Sequence, residues 1–236
     1  MHFLTSLLGV SGLALASPLI APSGTPNGPP PTLKSKGFHL IVNVTDLSRD
    51  FSPSIQGHYI DSIHVGAGES LLGVGIDEKV ARVFYVNGSA LDNQLGHTSV
   101  ISDTGMPPAP FGISLTQDEG SDIAHTAHLN GGPGDNGIGL THFPVPYTYL
   151  FPETYAICNE SIPYYHDRNF YIVKQFQLGL DTFKDIPSNC VPVRLLPQCT
   201  KLNDLPKESY SSHEWAYESS CYANVSSIDW TKYQPW

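Results

Sequence analysis

The sequence predicts an all-β fold, an antiparallel β-sandwich or barrel, with one or two short helices near the C-terminus. Three observations predict it. Short apolar or alternating runs recur along the chain, bounded by Gly, Pro, Asn and Asp, which is the signature of strands and turns. Scarcely any helical period separates them. The 236 residues include 21 Gly and 20 Pro, and only 14% are charged, far below the quarter or so usual in globular chains. That composition disfavours coiled coils and long solvated helices. A 40% hydrophobic content is too high for a wholly disordered chain and enough for one real core.

Residues 1–16 read as a signal peptide. An apolar run from Phe3 ends at Ala14-Leu15-Ala16, a small-x-small site for cleavage before Ser17. The run is shorter than the 20 or so residues that cross a bilayer. Residues 17–36 are rich in Pro and Gly without periodicity, and read as a flexible leader. Residues 37–236 then form a single β-rich domain. Strands are expected at residues 38–44, 58–65, 69–76 and 80–86, the last ending at the turn Asn87-Gly88. Further strands are expected at residues 111–115, 123–129, 138–143, 170–178 and 191–196. Ser211-Ser212-His213-Glu214 is a Ser-x-x-Glu capping box and predicts a short helix towards Cys221.

Export decides how the cysteines are read. Cys158, Cys190, Cys199 and Cys221 are expected to form two disulfides that staple the C-terminal third, with all three connectivities open. Sequons at Asn43, Asn87, Asn159 and Asn224 are candidate glycosylation sites. A net charge of -10 with no basic stretch argues against nucleic acid and anionic membranes as partners.

Motifs that carry chemistry are few. Asp103-Thr104-Gly105 resembles the triplet of aspartic proteases, but that chemistry needs two facing carboxylates and the chain has one such triplet, so it reads as a turn. His125 and His128 lie on opposite faces of a strand, and His58 and His64 are about 20 Å apart along another. His39, His97, His142 and His166 have no local partner. No metal site and no cofactor is expected. The Gly-rich run 130–139 lacks the Lys-Ser/Thr and helix of a phosphate cradle and reads as turn chemistry. The α/β-hydrolase elbow is absent. Aromatic residues are the one positive hint of binding: Tyr164, Tyr165, Trp230 and Trp236 combine flat apolar faces with a polar handle.

Several blocks resemble a family of secreted proteins of filamentous fungi that contains a domain of unknown function. They are His64-Val65-Gly66-Ala67-Gly68, Val83-Phe84-Tyr85-Val86-Asn87-Gly88 and Asn130-Gly131-Gly132-Pro133-Gly134 with residues 137–144. Ile162-Pro163-Tyr164-Tyr165 and residues 190–199 extend the match, as do Ser212-His213-Glu214 and Cys221-Tyr222. The resemblance implies secretion and a single domain, and brings no active site. The reading is a secreted, extracellular or cell-wall glycoprotein that is not an enzyme. Its partner would be wall polysaccharide or an extracellular protein, held by aromatic side chains. Two alternatives stand beside it: a host-protein binder of effector type, and a secreted hydrolase. The hydrolase would assemble its site from distant His and Asp/Glu residues, with His58, Asp61, His125 and His142 as candidates.

Overall fold

The computed structural model describes residues 28–75, 78–142, 144–177 and 186–233. The expected signal peptide, most of the leader and Trp236 lie outside the described residues. The chain enters the fold three residues before the expected end of the leader, in β1 (Leu33–Ser35).

The other strands are β2 (Gly37–Val44), β3 (Tyr59–Gly66), β4 (Glu69–Gly75), β5 (Tyr85–Asn87), β6 (Ser99–Thr104), β7 (Ala109–Gln117) and β8 (Ala124–Gly131). Then come β9 (Gly139–Leu140), β10 (Leu150–Phe151), β11 (Tyr155–Ile162), β12 (Arg168–Phe176), β13 (Cys190–Thr200), β14 (Ala216–Tyr217) and β15 (Ser219–Cys221). Eleven of them form one sheet in the order β11-β13-β2-β3-β4-β12-β8-β7-β6-β5-β14. All its ladders are antiparallel, and β11 pairs with both β13 and β12. Strands β11, β13, β2, β3, β4 and β12 therefore close on themselves, which removes edges that would otherwise be open to association.

Strand β2 shows why the sheet is covered on both faces. All eight of its residues are buried, and alternation divides them. Phe38, Leu40, Val42 and Val44 enter the main core with Ile157, Val193 and Leu195. Ile41 joins Leu196, Tyr149 and Tyr222 in a second cluster on the opposite face. Burying each such side chain contributes about 1.5–3 kcal/mol. A third cluster gathers Ala156, Cys158, Ile172 and Cys190. Disulfides join Cys158 to Cys190 and Cys199 to Cys221, which selects one of the three open connectivities.

The helix expected near the C-terminus is corrected. Residues 216–217 and 219–221 are strands, and only single 3-10 turns follow, at Val225–Ser227 and Trp230–Lys232. The capping box does not form: Ser212 Oγ accepts from the backbone of Glu214, two residues on. Asp103 captures the His213 side chain at 2.6 Å, and Ala216 and Tyr217 are drawn into the ladder with β5. Tertiary pairing overrides the local signal. Among the described residues the α-helix is mid-chain, α1 (Ala90–Leu95), where Ser89 and Asp92 form a reciprocal capping box. The run expected as a strand at 80–86 is also shorter, since Val80 closes a 3-10 turn, Phe84 makes a single bridge to Phe38 and the ladder of β5 begins at Tyr85.

Candidate functional site

The first residue of β11, the last residues of β2 and the middle of β13 lie side by side, because β13 pairs with both neighbours there: Tyr155 is opposite Val193 and Val193 is opposite Val44. The loops leaving these strands, with the 3-10 turn at Trp230–Lys232, frame a cleft of about 610 Å³. That is within the range of roughly 300–1,000 Å³ common for small-ligand sites. Asn43, Asp46, Glu153, Arg194, Trp230 and Tyr233 are among its lining residues.

Each of these side chains is positioned by a physical contact. Trp230 stands edge-on to Tyr222, ring centroids 5.8 Å apart at 87°, and Tyr233 lies 6.3 Å from it. Tyr222 is itself fixed, since its hydroxyl accepts from the Thr148 backbone at 3.0 Å, and burial pushes its phenol up to about 12. Arg194 lies over the Tyr149 ring at 5.1 Å and reaches Glu153 Oε2 at 3.4 Å. The Tyr149 hydroxyl donates to Glu153 Oε1. Burial first, and then the Glu153 carboxylate, push that phenol up, so it stays a neutral donor. Arg49 closes one wall by donating to the carbonyls of Ile186, Pro187 and Cys190. Thr154, between Glu153 and Tyr155, has φ +72°, a backbone state costly for a β-branched residue and of the kind that gathers at ligand sites. Its hydroxyl donates to the Phe176 carbonyl, which holds it there. The result is an aromatic edge, a carboxylate, a guanidinium and an amide around one hollow. That donor and acceptor set can stack on a sugar ring and hydrogen-bond its hydroxyls.

Tyr164 and Tyr165 do not meet Trp230, and Trp236 lies outside the described residues. Tyr164 and Tyr165 occupy the 3-10 turn Pro163–Tyr165 beyond the far end of β11, separated from the cleft by about 23 Å of strand. There Tyr164, 55% exposed, packs on His64 and Tyr165, and Tyr165 on Phe170. Of the three that are described, Trp230 alone lines the cleft. Sequence reasoning missed Glu153 and Arg194, since their meeting depends on the β11–β13 register.

The sequons differ in setting. Asn43 is 7% exposed, and its Oδ1 accepts from Gln56 Nε2. Asn224 is exposed and caps a turn through Ser226. Asn87 and Asn159 are half-buried.

The histidines and Asp61 offered for a hydrolase do not converge. Asp61 lines one polar cleft and His142 another hollow, while His58 has a buried Nδ1 with no partner among the described residues. His125 approaches only the Ile123 carbonyl. A different pair does meet: His213 Nε2 lies 2.6 Å from Asp103 Oδ2, with the Tyr85 hydroxyl on the other carboxylate oxygen at 3.3 Å. Burial and the Asp103 charge push the Tyr85 phenol up. Asp103, Asp61, Glu78, Arg82 and His39 share a polar cleft of about 440 Å³. The Asp103 triplet thus ends strand β6 and opens, at Gly105, the turn into β7. Among the described residues no three His, Cys, Asp or Glu side chains are grouped to hold a metal ion, and no helix is long and apolar enough to cross a membrane.

Comparison with known proteins adds a relationship. Antigenic protein SchS34 of Stachybotrys chartarum is 47% identical over 224 residues, covering 93% of this chain and 100% of that protein. No solved structure matches the chain. The family model described as a domain of unknown function, DUF7907, matches residues 35–199. That span holds both halves of the closed sheet and three of the four cysteines, and the chain belongs to the DUF7907 family.

Proposed function

We propose that this is a secreted fungal glycoprotein, a surface or extracellular antigen, and that it acts by binding carbohydrate of a cell wall or other surface without turning it over. Two disulfides support an oxidising destination, and the relative's printed name supports the antigen reading. The observation that carries the binding reading is the Trp230 edge of a cleft that also offers Glu153, Arg194 and Asn43. An open hollow of this size suits a few sugar units better than the flat patch of about 800 Å² per partner that a protein interface needs.

The test uses the mature chain, with its disulfides formed, mixed with insoluble chitin, β-glucan and fungal wall. Protein depletion and soluble sugar release are followed together. Depletion without release is expected, and Trp230→Ala should weaken it about tenfold, equivalent to about 1.4 kcal/mol. Unchanged depletion by Trp230→Ala moves the site elsewhere, and depletion by none of the materials makes an extracellular protein the partner. Release of sugar would favour a hydrolase. That second reading rests on the Asp103–His213 contact beside a polar cleft, and it predicts that Asp103→Asn abolishes release.

A further inference from the structure

A second hollow, of about 600 Å³, lies at the other end of the sheet. We propose that it seats the protein's own glycan: an N-linked oligosaccharide on Asn87 whose first sugars lie against Trp215. This rests on the glycoprotein part of the reading above and adds which sequon is modified and where its glycan goes.

Asn87 ends β5, paired on one side with Ser99 and on the other with Ala216. Its side chain lines the hollow and is half-buried. The Gly88 amide donates to the Trp215 carbonyl at 3.0 Å, which fixes Trp215 directly beside the sequon. Trp215 is 57% exposed and lines the same hollow, with Asp92, His97 and Asn136. Hydrogen bonds from the side chain and backbone of Ser89 hold the Asp92 carboxyl below its usual range, so it accepts hydrogen bonds at neutral pH. An exposed indole that lines one hollow with a carboxylate, an imidazole and an amide matches an N-acetylated sugar, whose ring has one apolar face and a hydrogen-bonding rim. The Ser89 hydroxyl of the sequon is engaged with Asp92 in the folded chain, so modification precedes formation of α1.

In the modification, the Asn87 Nδ2 forms a bond to C1 of the first sugar. The bond from C1 to the oxygen of a lipid pyrophosphate donor breaks, that oxygen keeps the electron pair, and the amide gives up one proton. The seated glycan then covers Trp215 and the two-residue strand β14, which is the last strand of the eleven-stranded sheet and, among the described residues, an edge with no further partner strand, of the kind proteins shield.

The experiment uses the full chain secreted from a eukaryotic host. Glycopeptide mass spectrometry reads occupancy at each sequon, and native treatment with a peptide N-glycanase reads the rate of release. Asn87 is expected to be occupied, with release at least tenfold slower than from Asn159 or Asn224. Trp215→Ala should remove that protection and Trp215→Phe should keep it. An unmodified Asn87 on a chain glycosylated elsewhere overturns the proposal, as does release at equal rates from Asn87 and the other sites in the wild-type protein, which needs no variant to fold. A chain with no glycan at any sequon overturns the glycoprotein reading itself.

Discussion

Lys174 sits in a setting that ties the protein's stability to pH. It is 9% exposed in β12, and its ammonium lies 2.6 Å from Asp118 and 2.8 Å from Glu160. Burial alone would lower its pKa, but the hydrogen bonds and charges of both carboxylates outweigh that and raise it above 10.5. Burial likewise opposes the Asp118 charge, and hydrogen bonds from Lys174 and Thr126 overcome it, leaving the carboxyl below 3.8. The stability from Lys174 is therefore complete below pH 10.5 and is lost as pH rises through its folded value. That from Asp118 is complete above 3.8 and is lost as pH falls through its depressed value. Lys174→Met leaves two carboxylates facing each other, and it should cost about 1–3 kcal/mol at pH 7, between the values for exposed and buried pairs. Urea unfolding should show that gap narrowing as Asp118 protonates in acid. A gap that is constant from pH 3 to pH 7 would mean the lysine matters for packing alone. Asn43 makes a second prediction at this scale. With 7% of its surface exposed and its amide oxygen held by Gln56, it is expected to be unmodified in glycopeptide maps. None of these settings was legible in the sequence, where Lys174 and Asp118 stand 56 residues apart, as Asp103 and His213 stand 110 apart. What could be read was residue type: four cysteines as disulfide partners, and Trp230 as an aromatic that lines a cleft.

Among the elements, those with clean alternation were legible. Strands β2, β3, β4, β7, β8, β12 and β13 lie where apolar or alternating runs placed them. Strand β11 was not expected, although its first four residues are buried. Tyr155 and Ile157 enter one cluster and Ala156 and Cys158 another, and the polar Asn159-Glu160-Ser161 that follow cut the apolar run short, so neither alternation nor a long apolar run marks the strand. The Gly-rich run 130–139 illustrates a partial reading. It is turn chemistry, as its composition predicts, but its purpose is close packing. A Cβ on Gly112 would stand 2.1 Å from the Gly134 nitrogen, and Asp135 returns from the loop to accept from the Leu115 backbone at 2.8 Å. The loop is a strap laid directly on β7. Gly112→Ala should therefore cost about 2–3 kcal/mol in denaturant unfolding, as overpacking does. Gly120→Ala is the matched control, because Gly120 has φ +76° and open space around its Cβ position. It should cost only about 1–2 kcal/mol of left-handed backbone strain. Equal costs for the two would mean that β7 and the loop separate readily and that the strap is not a constraint.

At the scale of the whole molecule, the two disulfides close loops of similar length but do different work. Their sequence separations are 32 and 22 residues, so chain entropy assigns each about 3–4 kcal/mol. Cys158 and Cys190 are already opposite each other in the β11–β13 ladder, and the neighbouring pairs of that ladder hold the strands together without the bridge. Cys199 and Cys221 join two separate sheets, since β15 pairs only with β1 among the described residues. The covalent link to β13 there is backed by the two hydrogen bonds that Tyr222 exchanges with Cys199 and Pro197. Tyr222 is also the ring against which Trp230 stands. Replacing Cys158 and Cys190 by Ser should therefore lower global stability by about 3–4 kcal/mol while leaving amide exchange in β11 protected up to the unfolding transition. Replacing Cys199 and Cys221 should lower it by a similar amount. It should in addition release exchange at Leu33–Ser35 and Ser219–Cys221 below that transition, as a local opening, and change the Trp230 fluorescence with it. If both variants lose only global stability and keep the β1–β15 amides equally protected, the small sheet is held by packing of Tyr222 and Val225 against Leu196 and Ile41. In that case the aromatic edge of the cleft does not depend on the bridge.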